Sequence, residues 1–213
     1  MRIVKIGHGR AAVGAKTPSG LRPRSAAKRS WISFSESERE DNVTATTIFQ
    51  VQSEKHVKIV RELFWEYLTW ANDMNDQTFG IRLDIATMLD EDMADLEKFM
   101  PPYGRLLLSE SNGFVAGCIC LKKLNASIGE VKRLFVRPAF RGRGIGKKMV
   151  KKLLDEARQI GYKTLKLDST RYMVDAHDLY RSFGFQEIEP YPESEIPEEY
   201  HAHWVFMENQ IND

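Results

Sequence analysis

The chain contains 213 residues, 42% of them apolar, and its formal net charge at pH 7 is only +1. This size and composition favour one globular domain with a full hydrophobic core. They argue against a membrane-spanning protein, because no apolar run reaches the roughly 20 residues that a transmembrane helix needs.

The beginning of the chain differs in composition from the rest. Residues 1–35 contain eight Lys and Arg residues and no Asp or Glu, and they show no helical or strand period. This pattern predicts a basic, disordered extension over residues 1–45, followed by a domain over residues 46–213. A solvated extension, a transit peptide and an arm for nucleic acid are all compatible with it. The solvated extension is favoured, so we do not expect a nucleic-acid partner.

From residue 46 onward the pattern predicts alternating strands and helices. Residues 46–51 alternate like a strand, and Ser53 is placed to cap the helix that follows. Residues 83–99 form an acidic amphipathic segment, which Pro101 and Pro102 would end.

Two β-prone runs, 105–110 and 114–121, flank an Asn-Gly turn and predict a hairpin. Its second strand carries the only two cysteines, Cys118 and Cys120. Residues two apart in a strand point to the same face, and this pair is too close in sequence for a disulfide framework. A reducing, cytoplasmic location is therefore expected.

The most informative segment, residues 131–148, reads as a strand, a glycine-rich turn and the start of a helix. Apolar residues then recur at helical spacing as far as Gly161. The glycines thus precede a helix whose first backbone N–H groups have no partner within the helix. Such an N-terminus, with its partial positive charge, is suited to binding phosphate.

The glycine spacing narrows the kind of phosphate ligand. Gly142 and Gly146 enclose three residues, whereas a nucleoside triphosphate loop needs four, and Lys147 is followed by Lys148 instead of a hydroxyl residue. The dinucleotide fingerprint Gly-x-Gly-x-x-Gly is also absent. A nucleoside triphosphatase and a Rossmann-type dinucleotide-binding protein are therefore both disfavoured.

The remaining pattern predicts a strand at 164–168, a helix at 174–183 and strands at 185–188 and 204–206. Hairpins followed by a strand–helix–strand unit predict an α/β fold with a mixed, mostly antiparallel central sheet and helices on both faces.

Two motifs resemble the GNAT family of N-acetyltransferases. Residues 141–146, Arg-Gly-Arg-Gly-Ile-Gly, resemble its Arg/Gln-x-x-Gly-x-Gly/Ala signature. Residues 176–185 resemble a second family motif, Ala-x-x-Leu-Tyr-x-x-x-Gly-Phe, at the expected separation. The resemblance covers roughly residues 46–208.

This resemblance implies acetyl-CoA as the cosubstrate and no metal. By position, backbone groups of Leu134, Phe135 and Val136 would pair with the pantetheine arm. The pyrophosphate would lie on the loop formed by Arg141, Gly142, Arg143, Gly144, Ile145, Gly146 and Lys147.

The resemblance also implies direct transfer of the acetyl group to a primary amine in a ternary complex. Tyr180 is the candidate general acid, because a phenol keeps its proton at neutral pH and can pass it to a thiolate. Glu130 is the candidate base. The acceptor is a small-molecule or protein amine, and a homodimer is possible. The alternative is a catalytically silent acyl-CoA sensor or scaffold of the same fold.

Three details fall outside these motifs. Many family members have Asn at the position of Met173. The polar side chains of residues 168–170 could supply the polar contact that this Asn makes in those proteins. His201 and His203 are predicted to lie on one face of a strand, where two imidazoles could bind a metal. A metal site is disfavoured, because no Cys or Asp lies at ligand spacing nearby. The acidic segment 190–200 would attract a cationic amine.

Overall fold

The computed structural model describes residues 46–211. The predicted basic extension, residues 1–45, lies outside the described residues. None of the described helices is both long and apolar enough to cross a membrane.

Within the described residues the chain forms seven strands, four α-helices and three short 3-10 helices. The strands are β1 Thr46–Gln50, β2 Arg105–Ser111, β3 Phe114–Lys123, β4 Ile128–Val136, β5 Thr164–Thr170, β6 Gln186–Ile188 and β7 Trp204–Gln210. The α-helices are α1 Glu54–Phe79, α2 Ile85–Ala94, α3 Ile145–Ile160 and α4 Val174–Arg181. The 3-10 helices are Leu96–Phe99, Pro138–Phe140 and Glu198–His203.

All seven strands belong to one sheet in the order β1-β2-β3-β4-β5-β7-β6. Neighbouring strands are antiparallel except for β4 and β5, which are parallel. The predicted mixed, mostly antiparallel sheet is therefore confirmed.

Each face of the sheet is covered by helices and has its own core. On one face, α3 packs against strand residues such as Leu107 and Ile119. On the other, α1 and α2 pack against Leu106, Leu108, Cys118 and Cys120. Successive strand residues thus serve opposite cores, as a period of two requires. Both cysteines point to the same core, as the sequence predicted, and neither forms a disulfide.

The helix ends follow the signals in the sequence. The Ser53 hydroxyl accepts a hydrogen bond from the backbone N–H of His56 at the start of α1. Gly161 ends α3 in the left-handed conformation, with φ of 98°. The acidic segment 83–99 forms α2 and a separate 3-10 helix, with Asp84 capping α2 through the Thr87 N–H.

One predicted element is wrong. His201 and His203 lie in the 3-10 helix Glu198–His203, not in a strand, because pairing with β5 begins only at Trp204. Their side chains take different neighbours: His201 bonds to the Ile196 carbonyl, and the His203 ring lies 4.5 Å from the Phe79 ring. Among residues 46–211, no group of three or more His, Cys, Asp or Glu side chains is arranged to hold a metal.

The sheet separates between β4 and β5. Their pairing is limited to Ile128–Glu130 against Thr164–Lys166, so the second half of β4 has no partner on that side. A bulge interrupts the pairing of β4 with β3, and Arg133 within it has φ of 54°. Bulges bend a strand and increase its twist. The bulge therefore accompanies the opening of the sheet at this point.

Gly117 on β3 allows this bend. A Cβ atom at Gly117 would lie 2.2 Å from the Phe135 carbonyl oxygen and 3.1 Å from the Val136 Cα atom. Both are backbone atoms of β4, so a larger residue cannot be accommodated by a side-chain movement. The close approach of the two strands requires glycine here.

Candidate functional site

A cleft of about 500 Å³ lies where β4 separates from β5. Its walls are the end of β4, the loop that leads into α3, the far half of α1 and the start of α4. Nine of the ten residues that the sequence predicted for cofactor binding line it: Leu134, Phe135, Val136, Arg141, Gly142, Gly144, Ile145, Gly146 and Lys147. The tenth, Arg143, lies outside the lining and donates a hydrogen bond to the Ala139 carbonyl.

The glycine loop presents backbone N–H groups to the cleft. Gly142 and Gly144 have φ of 75° and 72°, a conformation that other residues adopt at a cost. The amides of residues 142–147 donate to no backbone carbonyl within the described chain. These free donors, at the N-terminus of α3, are suited to binding an anion.

Arg141 lies at the mouth of the cleft. Its Nε donates to the Val136 carbonyl at 2.9 Å, and its guanidinium lies 5.4 Å from the centre of the Trp70 ring. The hydrogen bond holds a positive charge beside the open edge of β4.

The wall opposite β4 is aromatic, and sequence reasoning did not assign it a role. Tyr67 and Trp70 come from α1, and Tyr172 comes from the loop after β5. Tyr172 packs edge-on against Trp70, and its hydroxyl donates to the Ala71 carbonyl at 2.9 Å. Burial raises the pKa of Tyr172 to about 12, so this hydroxyl stays protonated at neutral pH. Only the tertiary structure brings these residues to the cleft, since α1 precedes β4 by about 50 positions.

A second, smaller cavity of about 80 Å³ adjoins the cleft between the separated strands. Tyr67 and Met173 line both spaces and mark the boundary between them. The smaller cavity, called the inner cavity below, is lined by Tyr67, Leu68, Ala71, Asn72, Asn75, Leu83, Ile85, Met88, Arg133, Asp168, Ser169, Thr170, Met173, Ile196 and Trp204.

Tyr180, the predicted general acid, lies on α4, is only 6% exposed and, like Glu130 described below, is not among the residues that line the cleft or the inner cavity. Its ring packs 5.4 Å from that of Phe185, and its hydroxyl makes no hydrogen bond to any residue between 46 and 211. Burial raises the pKa of Tyr180 well above 10, and the charges of Tyr67 and Asp168 raise it further. The phenol therefore keeps its proton across the neutral range.

Glu130, the predicted base, is completely buried. Its carboxylate accepts a hydrogen bond from the Tyr191 hydroxyl at 2.6 Å and forms ion pairs with Lys132 at 3.2 Å and Lys122 at 3.4 Å. It lines neither the cleft nor the inner cavity. Another carboxylate does line the inner cavity.

That carboxylate is Asp168. It lies on β5 just beyond the last residue paired with β4 and lines the inner cavity. Its Oδ2 atom lies 3.1 Å from Lys132 Nζ, and the Tyr191 hydroxyl lies 3.4 Å from the same oxygen. Asp168 and Glu130 therefore share two partners. The sequence marked 168–170 only as polar groups, because the sharing of Lys132 is a tertiary feature.

The acidic segment 190–200 folds onto these groups. Glu195 pairs with Lys122 at 2.5 Å and with Lys132 at 3.6 Å. Partial burial would raise the pKa of Glu195, but Lys132 and Lys122 outweigh it and lower the pKa to about 2. These ion pairs hold the segment beside the inner cavity, which its Ile196 lines.

Comparison with known proteins gives a consistent result. A model of the acetyltransferase (GNAT) family matches residues 57–185. A Schizosaccharomyces pombe protein named as an uncharacterized N-acetyltransferase is 34% identical over 123 residues, covering 57% of this chain and 76% of that protein. Human N-acetylaspartate synthetase is 32% identical over 111 residues, covering 51% of this chain and 37% of that protein. The solved structure of yncA from Salmonella typhimurium, with its cofactor acetyl-CoA, aligns with a TM-score of 0.54 at 21% identity, covering 79% of this chain and 95% of that one.

Proposed function

Because the chain belongs to the GNAT acetyltransferase family, we propose that it transfers the acetyl group of acetyl-CoA directly to a primary amine. The observation that carries this proposal is the meeting of two spaces at the β4–β5 separation. One is an elongated cleft that begins at a phosphate-binding loop, and the other is a small cavity that contains a carboxylate.

The cleft suits each part of the cosubstrate. The free amides of residues 142–147 would bind the pyrophosphate, and the unpaired edge of β4 would bind the pantetheine arm as a strand binds its neighbour. The Arg137 N–H donates to the Ala116 carbonyl of β3. Since successive amides of a strand point in opposite directions, the Val136 N–H points to the open side. It is therefore placed to donate to the thioester carbonyl oxygen as negative charge develops there.

Acetyl-CoA supplies an acyl group activated as a thioester. In the proposed reaction the neutral amine attacks the thioester carbon, a C–N bond forms and the C–S bond breaks. Asp168 or Glu130 accepts the proton of the amine through water, and Tyr180 donates a proton to the departing thiolate. The raised pKa of Tyr180 keeps that proton available.

The test is release of free thiol from acetyl-CoA by the full-length protein in the presence of a panel of amines. We expect amine-dependent release without an added metal. Binding of acetyl-CoA without release for any amine would contradict the enzymatic proposal and favour a sensor or scaffold.

A further inference from the structure

Two charged groups of opposite sign contribute to the lining of the inner cavity. The first contains Arg133, whose Nε and Nη2 atoms donate to a single oxygen of Asp92 at 2.9 and 2.6 Å. The other oxygen of Asp92 binds Lys98 at 3.0 Å. Two cations thus share one carboxylate, and this group has a surplus positive charge.

The second group contains Asp168 and has a surplus negative charge. Its three carboxylates, Asp168, Glu130 and Glu195, form ion pairs of 2.5 to 3.6 Å with two ammonium groups, Lys132 and Lys122. Of the three carboxylates, only Asp168 lines the inner cavity.

Two buried polar groups in the lining of the inner cavity lack partners. The Nη1 atom of Arg133, a donor, makes no hydrogen bond to another described residue, although the Arg133 side chain is only 14% exposed. The side-chain oxygen of Asn75, an acceptor, also has no partner in the described chain, and Asn75 is 2% exposed. A buried polar group without a partner costs free energy, so a ligand that offers an acceptor to Arg133 and a donor to Asn75 is favoured.

We infer that the acceptor is a small zwitterion, a primary amine that also carries a carboxylate, as in a free amino acid. This inference rests on the proposed function. The ammonium group pairs with Asp168 and can donate to the Asn75 side-chain oxygen, and the carboxylate accepts hydrogen bonds from Arg133. Arg133 supplies the planar donor geometry that suits a carboxylate.

The size of the cavity agrees with a small acceptor. A volume of about 80 Å³ corresponds to two or three water molecules at their liquid density. This space suits a molecule of few non-hydrogen atoms that extends toward the cleft past Tyr67 and Met173.

The test compares free amino acids such as alanine, serine and aspartate with their carboxamides and with simple alkylamines, by thiol release from acetyl-CoA. The carboxamide keeps the ammonium group and loses only the negative charge. We expect kcat/KM to be about 10- to 100-fold higher for at least one free amino acid than for its amide, which is the size of one or two charge-assisted hydrogen bonds.

Arg133→Gln tests the residue that provides this preference. The substitution leaves Lys98 paired with Asp92, so no buried carboxylate loses all its partners. We expect the ratio of amino acid to amide to fall about 10-fold, chiefly through KM for the amino acid, while acetyl-CoA affinity measured by calorimetry is retained. Arg133→Lys, which keeps the charge without the planar fork, serves if the first variant does not fold. Arg61→Gln is the control, since it removes an exposed guanidinium that pairs with Asp90 away from both cavities.

A kcat/KM for amides, alkylamines or peptide amines that equals or exceeds that for every free amino acid would overturn the inference. The proposed function would be unaffected by that result. An unchanged preference in folded Arg133 variants would also overturn the inference. Absence of acetyl-CoA binding and of thiol release with every amine would instead contradict the proposed function itself.

Discussion

At the scale of single residues, some candidate residues of the site can be identified from the sequence and others cannot. Tyr180 was predicted from the resemblance of residues 176–185 to a family motif. Asp168, Tyr67 and Arg133 could not be identified in this way, because they meet at the inner cavity only where β4 and β5 separate. These residues are far apart in the sequence, so their proximity becomes visible only in the tertiary structure.

Tyr180→Phe tests the proton donor. We expect kcat to fall by about 10²- to 10⁴-fold, the usual contribution of a general acid, with acetyl-CoA affinity unchanged. Because burial raises the pKa of Tyr180 above 10, wild-type kcat should show no loss from deprotonation of this group up to pH 10. The measurements are kcat by thiol release against pH and affinity by calorimetry.

Tyr162→Phe is the matched control for this experiment. Tyr162 is also a buried tyrosine, but its hydroxyl donates to the Tyr103 carbonyl, away from the cleft. The Tyr162→Phe variant should lose about 1 kcal/mol in free energy of unfolding and keep the wild-type kcat. A Tyr180→Phe enzyme with wild-type kcat would exclude Tyr180 as the acid.

At the scale of elements, the helices and most strands could be predicted because their signals are local: a serine cap, a glycine stop, an Asn-Gly turn. The opening between β4 and β5 could not be predicted from the residues themselves, since it depends on a bulge at Arg133 and on a close contact with a different strand. The error at His201 and His203 has a related cause. Two alternating polar residues next to a strand look like part of it, whereas pairing with β5 begins one residue later.

Gly117→Ala tests the link between the bulge and the cleft. The new Cβ would overlap the Phe135 carbonyl oxygen, so β4 must move. We expect a loss of about 1–3 kcal/mol in the free energy of unfolding and weaker binding of acetyl-CoA, because β4 forms one wall of its cleft. Denaturant unfolding and calorimetry measure the two effects.

The control here is Gly113→Ala in the β2–β3 turn. Gly113 has φ of 77° with open space around its Cβ position. Because alanine is strained in this conformation, the Gly113→Ala variant should lose a similar free energy of unfolding to Gly117→Ala and keep the wild-type affinity for acetyl-CoA. If Gly117→Ala binds acetyl-CoA as the wild type does, the bend of β4 is not required for the cleft.

Glu195→Gln tests the ion pairs that hold segment 190–200. The pKa of Glu195 falls on folding from about 4.5 to about 2, so its charge stabilises the folded protein above pH 4.5. This stabilisation is lost as the pH falls from 4.5 toward 2. The Tm difference between wild type and Glu195→Gln should therefore be constant above about pH 5 and shrink steadily below pH 4.5.

Glu193→Gln, in the same segment, is the matched control, because Glu193 forms no ion pair within residues 46–211. It should show no such pH dependence. A Tm difference for Glu195→Gln that stays the same between pH 7 and pH 3 would contradict the assignment.

At the scale of the whole molecule, fold class was predictable because strands, turns and helices follow one another in an order that few architectures accommodate. That the residues of the glycine loop lie together beside β4 was predictable, because the loop is contiguous in sequence. The inner cavity was not, because α1, α2, β4, β5 and segment 190–203 each contribute to it from distant positions. The inner cavity therefore exists only in the assembled domain.

Removal of residues 1–45 tests the predicted domain boundary. All residues that line the cleft and the inner cavity lie between positions 67 and 204. We expect the shortened chain to keep the wild-type acetyl-CoA affinity and rate of thiol release. A large loss of either in a folded, shortened protein would show that the extension contributes to the site.

The central claim is that acetyl-CoA binds along the open edge of β4 with its pyrophosphate on the loop of residues 141–147. Calorimetric titration of acetyl-CoA into the full-length protein tests it most directly, with Gly144→Ala as the comparison. We expect one molecule of acetyl-CoA to bind per wild-type chain with saturation. The Gly144→Ala variant should bind acetyl-CoA clearly more weakly, because alanine is strained at this left-handed position of the loop. No heat of binding from the folded wild-type protein would contradict it.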